Sequence, residues 1–131
     1  MVQPVKSIKV LIAEDDLGIC EMYSTAFMKE GFKVYTAKDG KIALEKYYSK
    51  QPDILLLDIM MPELDGYQVL KEVRTRHDKY IPVVMLTNLD MEHFTAHDSI
   101  DNVDAYLIKS NYTPSEIVAK TIEVLKANNI I

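Results

Sequence analysis

Four acids, one hydroxyl and one ammonium in this sequence each follow directly on an apolar run: Glu14, Asp15 and Asp16 in "VLIAEDD", Asp58 in "DILLLDIMMPELDG", Thr87 in "VVMLTN" and Lys109 in "AYLIKS". Asp58 is the unusual one, because Ile54 to Leu57 run straight into it and a Met-Met-Pro turn follows. An ionised carboxylate against a core run costs free energy unless a partner compensates it. Carboxylates from two neighbouring strands also repel one another, and a divalent cation removes the conflict. All-oxygen ligation favours magnesium, manganese or calcium over zinc. A shallow site with few protein oxygens suits magnesium, since it leaves positions for water or a phosphoryl group. Lys109 can neutralise an anionic guest as a point charge, and Thr87 can donate a hydrogen bond to one of its oxygens. Carboxylate, magnesium and cation together make up the electrostatic apparatus of phosphoryl transfer, with Asp58 as the nucleophile.

Positioning these groups requires a sheet whose strands all end at one edge. Five apolar runs read as strands: 8–13, 32–37, 53–57, 81–86 and 104–108. Those around Val10, Leu55 and Val84 are almost continuously apolar, as strands covered on both faces are. Helical spacing appears between them, in Ile19, Cys20, Tyr23 and Phe27, in Ala43, Leu44, Tyr47 and Tyr48, in Leu70 and Val73, and in Ile117, Val118, Thr121, Val124 and Leu125. "TPSE" at 113–116 supplies a Thr113 N-cap, a proline at the first helical position and a capping box through Glu116. The segment 88–101 is the weakest helix, its apolar residues Met91, Phe94 and Ile100 being sparse. Five strands alternating with five helices imply right-handed crossovers and an α/β, doubly wound parallel sheet, whose ligands bind beyond the carboxyl ends of the strands.

A chain of 131 residues with 48% hydrophobic content is about one domain long and has enough apolar residues for one well-buried core. No apolar run approaches the roughly 20 residues that span a bilayer, and the first ten residues lack the apolar region of a signal peptide. No membrane association and a cytoplasmic location are therefore expected. Cys20 stands alone and reads as a buried, inert thiol. The net charge of -5, with no lysine or arginine stripe, argues against direct nucleic-acid binding. His93 and His97 lie four apart in "HFTAH", but with no third ligand evident they read as solvated surface histidines.

The ordered set "VLIAEDD", "LLLDIMMPELDG", "VVMLTN" and "AYLIKS" resembles the receiver domain of two-component response regulators, from about Lys6 to Leu125. The resemblance implies a flavodoxin-like (βα)5 three-layer sandwich with strand order 2-1-3-4-5, the whole chain forming a single receiver domain (core about 6–127) with no output domain. It implies that Asp58 accepts a phosphoryl group from a sensor histidine kinase or histidine phosphotransfer protein. Magnesium, with manganese as the alternative, would be held by Glu14, Asp15, Asp58 and the backbone carbonyl of Met60. Asp16 is left as an N-cap or surface acid. Thr87 and Lys109 would contact phosphoryl oxygens, and Tyr106 occupies the place of an aromatic switch that turns inward as Thr87 moves. The plain alternative for Tyr106 is a half-buried strand tyrosine. The output surface would comprise the segment 88–101, the fifth strand and the last helix, facing a downstream protein, an output domain or a second copy of the chain.

Departures from the family pattern concern timing. The family usually follows the lysine with proline in a cis peptide, and here Ser110 follows; a cis bond before a residue other than proline costs about 3 kcal/mol. Asn88 replaces a small residue, and Met60 and Leu89 fill two positions that tune dephosphorylation. Both are apolar and position an attacking water poorly, so a long-lived phosphorylated state is expected. Competing functions are a magnesium-dependent phosphohydrolase, a flavin-binding domain of the same architecture and a receiver that only docks. The first commonly carries a second aspartate where this chain has Met60, and the second wants a Ser/Thr/Gly-rich loop where "EDDLG" presents acids.

Overall fold

The computed structural model describes residues 8–75, 79–88 and 103–131. Its five strands, β1 (Lys9–Ala13), β2 (Lys33–Ala37), β3 (Ile54–Asp58), β4 (Val83–Thr87) and β5 (Ala105–Ile108), form one sheet in the order β2-β1-β3-β4-β5. Every pairing is parallel. The fold is therefore the doubly wound α/β sheet expected from the alternation of apolar and amphipathic segments. Strands end slightly later than the apolar runs suggested: Asp58 and Thr87 are the last residues of β3 and β4 rather than the residues after them. The fourth strand begins at Val83 because Pro82 has no N–H to give a ladder.

Alternation along the strands divides the interior into two layers. Val10, Ile12, Ile54, Leu56, Val84, Leu86 and Leu107 face α1 (Leu17–Lys29) and the C-terminal helix (Pro114–Ala127), meeting Tyr23, Phe27, Ile117 and Leu125. Leu11, Ala13, Leu55, Leu57, Val83 and Met85 face α2 (Gly40–Lys50) and α3 (Gly66–Thr75), meeting Ala43, Val69, Leu70 and Val73. Two-sided burial is the reason these strands read as continuous apolar runs. The helix expected over 88–101 falls, apart from Asn88, outside the described residues, as do Leu89, His93 and His97.

Helix starts follow from side chains that satisfy the free N–H groups of a first turn. The Asp16 carboxylate accepts from Ile19 N–H (3.0 Å), and Asp39 accepts from Ile42 N–H (2.8 Å). Asp65 and Gln68 exchange two such bonds at the head of α3 (2.8 and 2.9 Å). Thr113 and Glu116 form the anticipated capping box, with Pro114 in the first turn. Cys20 is buried on α1.

Two glycines allow the backbone approaches that lock the loop after β3. A Cβ on Gly66 would lie 2.5 Å from the Asp58 carbonyl oxygen, and one on Gly40 would lie 2.0 Å from that of Leu64. Only glycine permits these contacts. Gly66 N–H donates to Ile59 O (2.7 Å) and Gly40 N–H to Pro62 O (3.3 Å), so the loop is held from both sides.

Candidate functional site

Glu14 and Asp15 leave the end of β1. The Glu14 N–H donates to Ala37 O (2.9 Å), carrying the β1–β2 ladder one residue past Ala13 and leaving the Glu14 side chain buried. Asp15 is exposed, and Asp16 turns to cap α1, donating its own N–H to Glu14 Oε2 (3.1 Å). Asp58 closes β3 with its residue only 4% exposed. One carboxylate oxygen from each of Glu14, Asp15 and Asp58 lies within 4.8 Å of the others. These three form a group that could hold a metal ion, with Asp15 on the solvent side.

Lys109 enters from the end of β5. Its Nζ lies 2.5 Å from Glu14 Oε1 and 3.2 Å from Asp58 Oδ2, so one ammonium bridges the two buried carboxylates. Burial pushes the Asp58 carboxyl up to about 7, the Glu14 charge adds to the rise and Lys109 opposes it. Burial alone would pull the Lys109 ammonium down, but its hydrogen bond to Glu14 and the charges of Asp58 and Glu14 leave it above its ordinary value. Three carboxylates against one ammonium leave an excess of two negative charges when all are ionised. A hard divalent cation fits this charge and this all-oxygen donor set.

The remaining residues surround the cluster. Thr87, buried, ends β4 in register with Ile108, one residue before Lys109. Asn88 and Ser110 are exposed, and the Met60 side chain is 64% exposed at the rim. Ser110 lies in a 3-10 turn, Lys109–Asn111, and no described residue follows a cis peptide bond. The cis geometry associated with proline is thus absent at Lys109–Ser110, as the cost before serine requires.

Tyr106 is half-buried against the α2 and α3 side of the core, its hydroxyl 2.6 Å from that of Tyr67 on α3. Burial first, and then the Tyr67 hydroxyl, raises the Tyr106 phenol above its ordinary range. Sequence reasoning missed Tyr67 and also missed the Lys109–Glu14 pair. Neither leaves a local signal, since the first joins residues 39 apart and the second residues 95 apart.

A family model described as the response regulator receiver domain matches residues 10–122. The chain belongs to this family. It is 37% identical over 123 residues to a protein of Guillardia theta named "Probable transcriptional regulator ycf27", covering 92% of this chain and 46% of that protein. The receiver domain thus spans about half the length of this curated relative. Among solved structures it is similar to the receiver domain of the Francisella response regulator 1452, with a TM-score of 0.82 and 31% identity over 93% of this chain and 99% of that one. It is also similar to the Thermotoga maritima response regulator TrrA in complex with Mg(2+)-BeF, with a TM-score of 0.81 and 29% identity over 91% of this chain and all (100%) of that one. A third likeness is to the chemotaxis response regulator CheY4 of Vibrio cholerae, with a TM-score of 0.81 and 28% identity over 90% and 98% of the two chains. The chain is a receiver domain of a two-component response regulator, a signalling domain. The family match sets aside the phosphohydrolase and flavin-domain alternatives. Among the described residues no helix is long and apolar enough to cross a membrane.

Proposed function

We propose that this receiver domain takes a phosphoryl group onto Asp58 from a phosphohistidine of a sensor kinase or phosphotransfer protein. The observation that carries this reading is the buried Asp58 carboxylate at a strand end, bridged by Lys109 to Glu14 and grouped with Asp15 at metal-ligand spacing. An Asp58 carboxylate oxygen attacks phosphorus, the P–N bond breaks, and its electron pair stays on the donor imidazole, which takes up a proton. Glu14, Asp15, Asp58 and the Met60 carbonyl would hold magnesium or manganese, which when bound supplies the positive charge that keeps Asp58 ionised and offsets charge on the transferring group. Lys109 neutralises a phosphoryl oxygen, and the Thr87 hydroxyl donates to another. The domain thereby catalyses its own phosphorylation, and its own dephosphorylation when water replaces the histidine.

The new charge is satisfied by Thr87 and Lys109 in one arrangement of the β4 and β5 ends, so phosphorylation shifts an existing equilibrium. Tyr106 reports that shift to a surface made by the segment 88–101, β5 and the C-terminal helix. That surface meets a downstream protein, an output domain or a second copy of the chain. All 131 residues belong to one receiver unit acting in the cytoplasm. The relative's name includes transcriptional regulation; we place any nucleic-acid contact of such a protein outside these residues, whose net charge is -5. Met60, Asn88, Leu89 and Ser110 tune the lifetime of the phosphorylated form.

Incubation with acetyl phosphate and magnesium, read by intact mass, tests the proposal. The wild type gains one phosphoryl group and Asp58→Asn gains none. A wild type that stays unmodified and does not respond to a beryllofluoride mimic overturns it.

A further inference from the structure

The Tyr67 and Tyr106 hydroxyls meet at 2.6 Å, joining the first turn of α3 to β5. Each element leads to a residue that touches Asp58. Tyr67 follows Gly66, whose N–H is bonded to Ile59 O and whose missing Cβ lets it lie against the Asp58 carbonyl. Tyr106 precedes by three residues Lys109, whose Nζ contacts the Asp58 carboxylate. The hydroxyl pair therefore closes a ring of contacts that runs from Asp58 through Gly66 and the two tyrosines to Lys109 and back to Asp58. Both aromatic rings pack on the same apolar cluster, so a Tyr106 ring turned out to solvent gives up that packing together with the hydrogen bond.

We propose that Tyr67 is a positioning residue: its hydroxyl holds the Tyr106 ring inward against α3 and so favours the pocket arrangement that receives a phosphoryl group. This rests on the reading of Asp58 as phosphoacceptor and of Tyr106 as a two-position group. The inward ring is then partly prepaid before phosphorylation, because α3 already supplies its partner. Loss of one ordinary hydrogen bond shifts such an equilibrium about threefold to tenfold.

Tyr67→Phe, Tyr106→Phe and the double variant of the full chain test this, each keeping the ring and losing only a hydroxyl. Beryllofluoride is titrated at fixed magnesium and followed by amide NMR shifts near Thr87, with urea unfolding measured alongside. Tyr67→Phe is expected to weaken apparent beryllofluoride affinity about threefold to tenfold. Tyr106→Phe should also weaken it, and the double variant by less than the sum of the two, since both singles break the shared bond. A wild type that does not bind beryllofluoride overturns the phosphoacceptor reading and this inference with it. A wild type that binds, beside a Tyr67→Phe variant of unchanged or tighter affinity, overturns the inference alone, whatever happens to its urea midpoint. Additive losses in the double variant overturn it too, because the hydroxyls then act separately.

Discussion

Replacing Asp58 by asparagine should stabilise the metal-free protein, although it removes the residue on which function is proposed to rest. The Asp58 carboxyl is raised from an ordinary 3.8 to about 7, chiefly by burial and then by Glu14, with Lys109 pulling the other way. A folded-state value above the unfolded one gives proton-linked stability that is fully present below about pH 4 and lost as pH rises through about 7. At roughly 1.4 kcal/mol per pH unit, the ceiling on that loss is about 4 kcal/mol. Asparagine escapes it, and the attraction of Lys109 for the ionised carboxylate is already contained in the value of about 7, so its loss belongs to the same balance. The expected net gain at pH 8 is therefore at most about 4 kcal/mol, widening by at most about 2 kcal/mol between pH 5.5 and pH 8. Urea unfolding in the presence of a chelator measures it directly. Saturating magnesium should then narrow the gap, stabilising wild type by about 2.7 kcal/mol at a hundredfold excess over Kd and the variant much less. An Asp58→Asn variant equal to or weaker than wild type at pH 8 without metal, or a gap that shrinks as pH rises, would refute the reasoning.

Other perturbations probe the same pocket. Glu14→Gln removes a metal ligand together with the charge that adds to the Asp58 rise, so magnesium affinity read by calorimetry should fall at least about tenfold. Lys109→Met leaves two buried carboxylates without their ammonium; it should cost about 2–4 kcal/mol in urea unfolding at pH 8, part of it recovered by magnesium. Gly66→Ala forces a Cβ to 2.5 Å from the Asp58 carbonyl and 2.8 Å from Ile59 Cα. Overpacking of this kind costs about 1–3 kcal/mol, and magnesium affinity should weaken with it as the loop shifts. The phosphorylated form, followed by intact mass after the phosphodonor is removed, should persist for minutes or longer; a half-life of seconds contradicts the reading of Met60 and Leu89.

Much of this architecture was legible because burial on both faces writes strands as unbroken apolar runs, and because caps are local. Asp16 and Thr113 sit within three residues of the N–H groups they satisfy, so their roles follow from spacing. The convergence of Glu14, Asp15, Asp58, Thr87 and Lys109 at one edge was legible for a topological reason: parallel strands all end on the same side. Contacts depending on three-dimensional approach were not. Compensation of Asp58 by Lys109 was legible, but the second contact of Lys109, with Glu14, depends on side-chain reach across three strands. The hydroxyl pair of Tyr67 and Tyr106 depends on how closely α3 rides on the loop after β3, which the absent Cβ of Gly66 decides. Strand ends shifted by a residue or two because ladder bonds, not side-chain polarity, define them: Asp58 pairs with Leu86 in the sheet while its carboxylate serves the pocket.

The central claim is that the phosphoryl group is carried by Asp58 itself. Labelling with acetyl phosphate and magnesium, then borohydride reduction and peptide mass spectrometry, converts an aspartyl phosphate to homoserine at its own position. The account predicts homoserine at position 58, dependent on magnesium and absent without the phosphodonor. Homoserine or phosphate at any other residue, or labelling indifferent to magnesium, would contradict it.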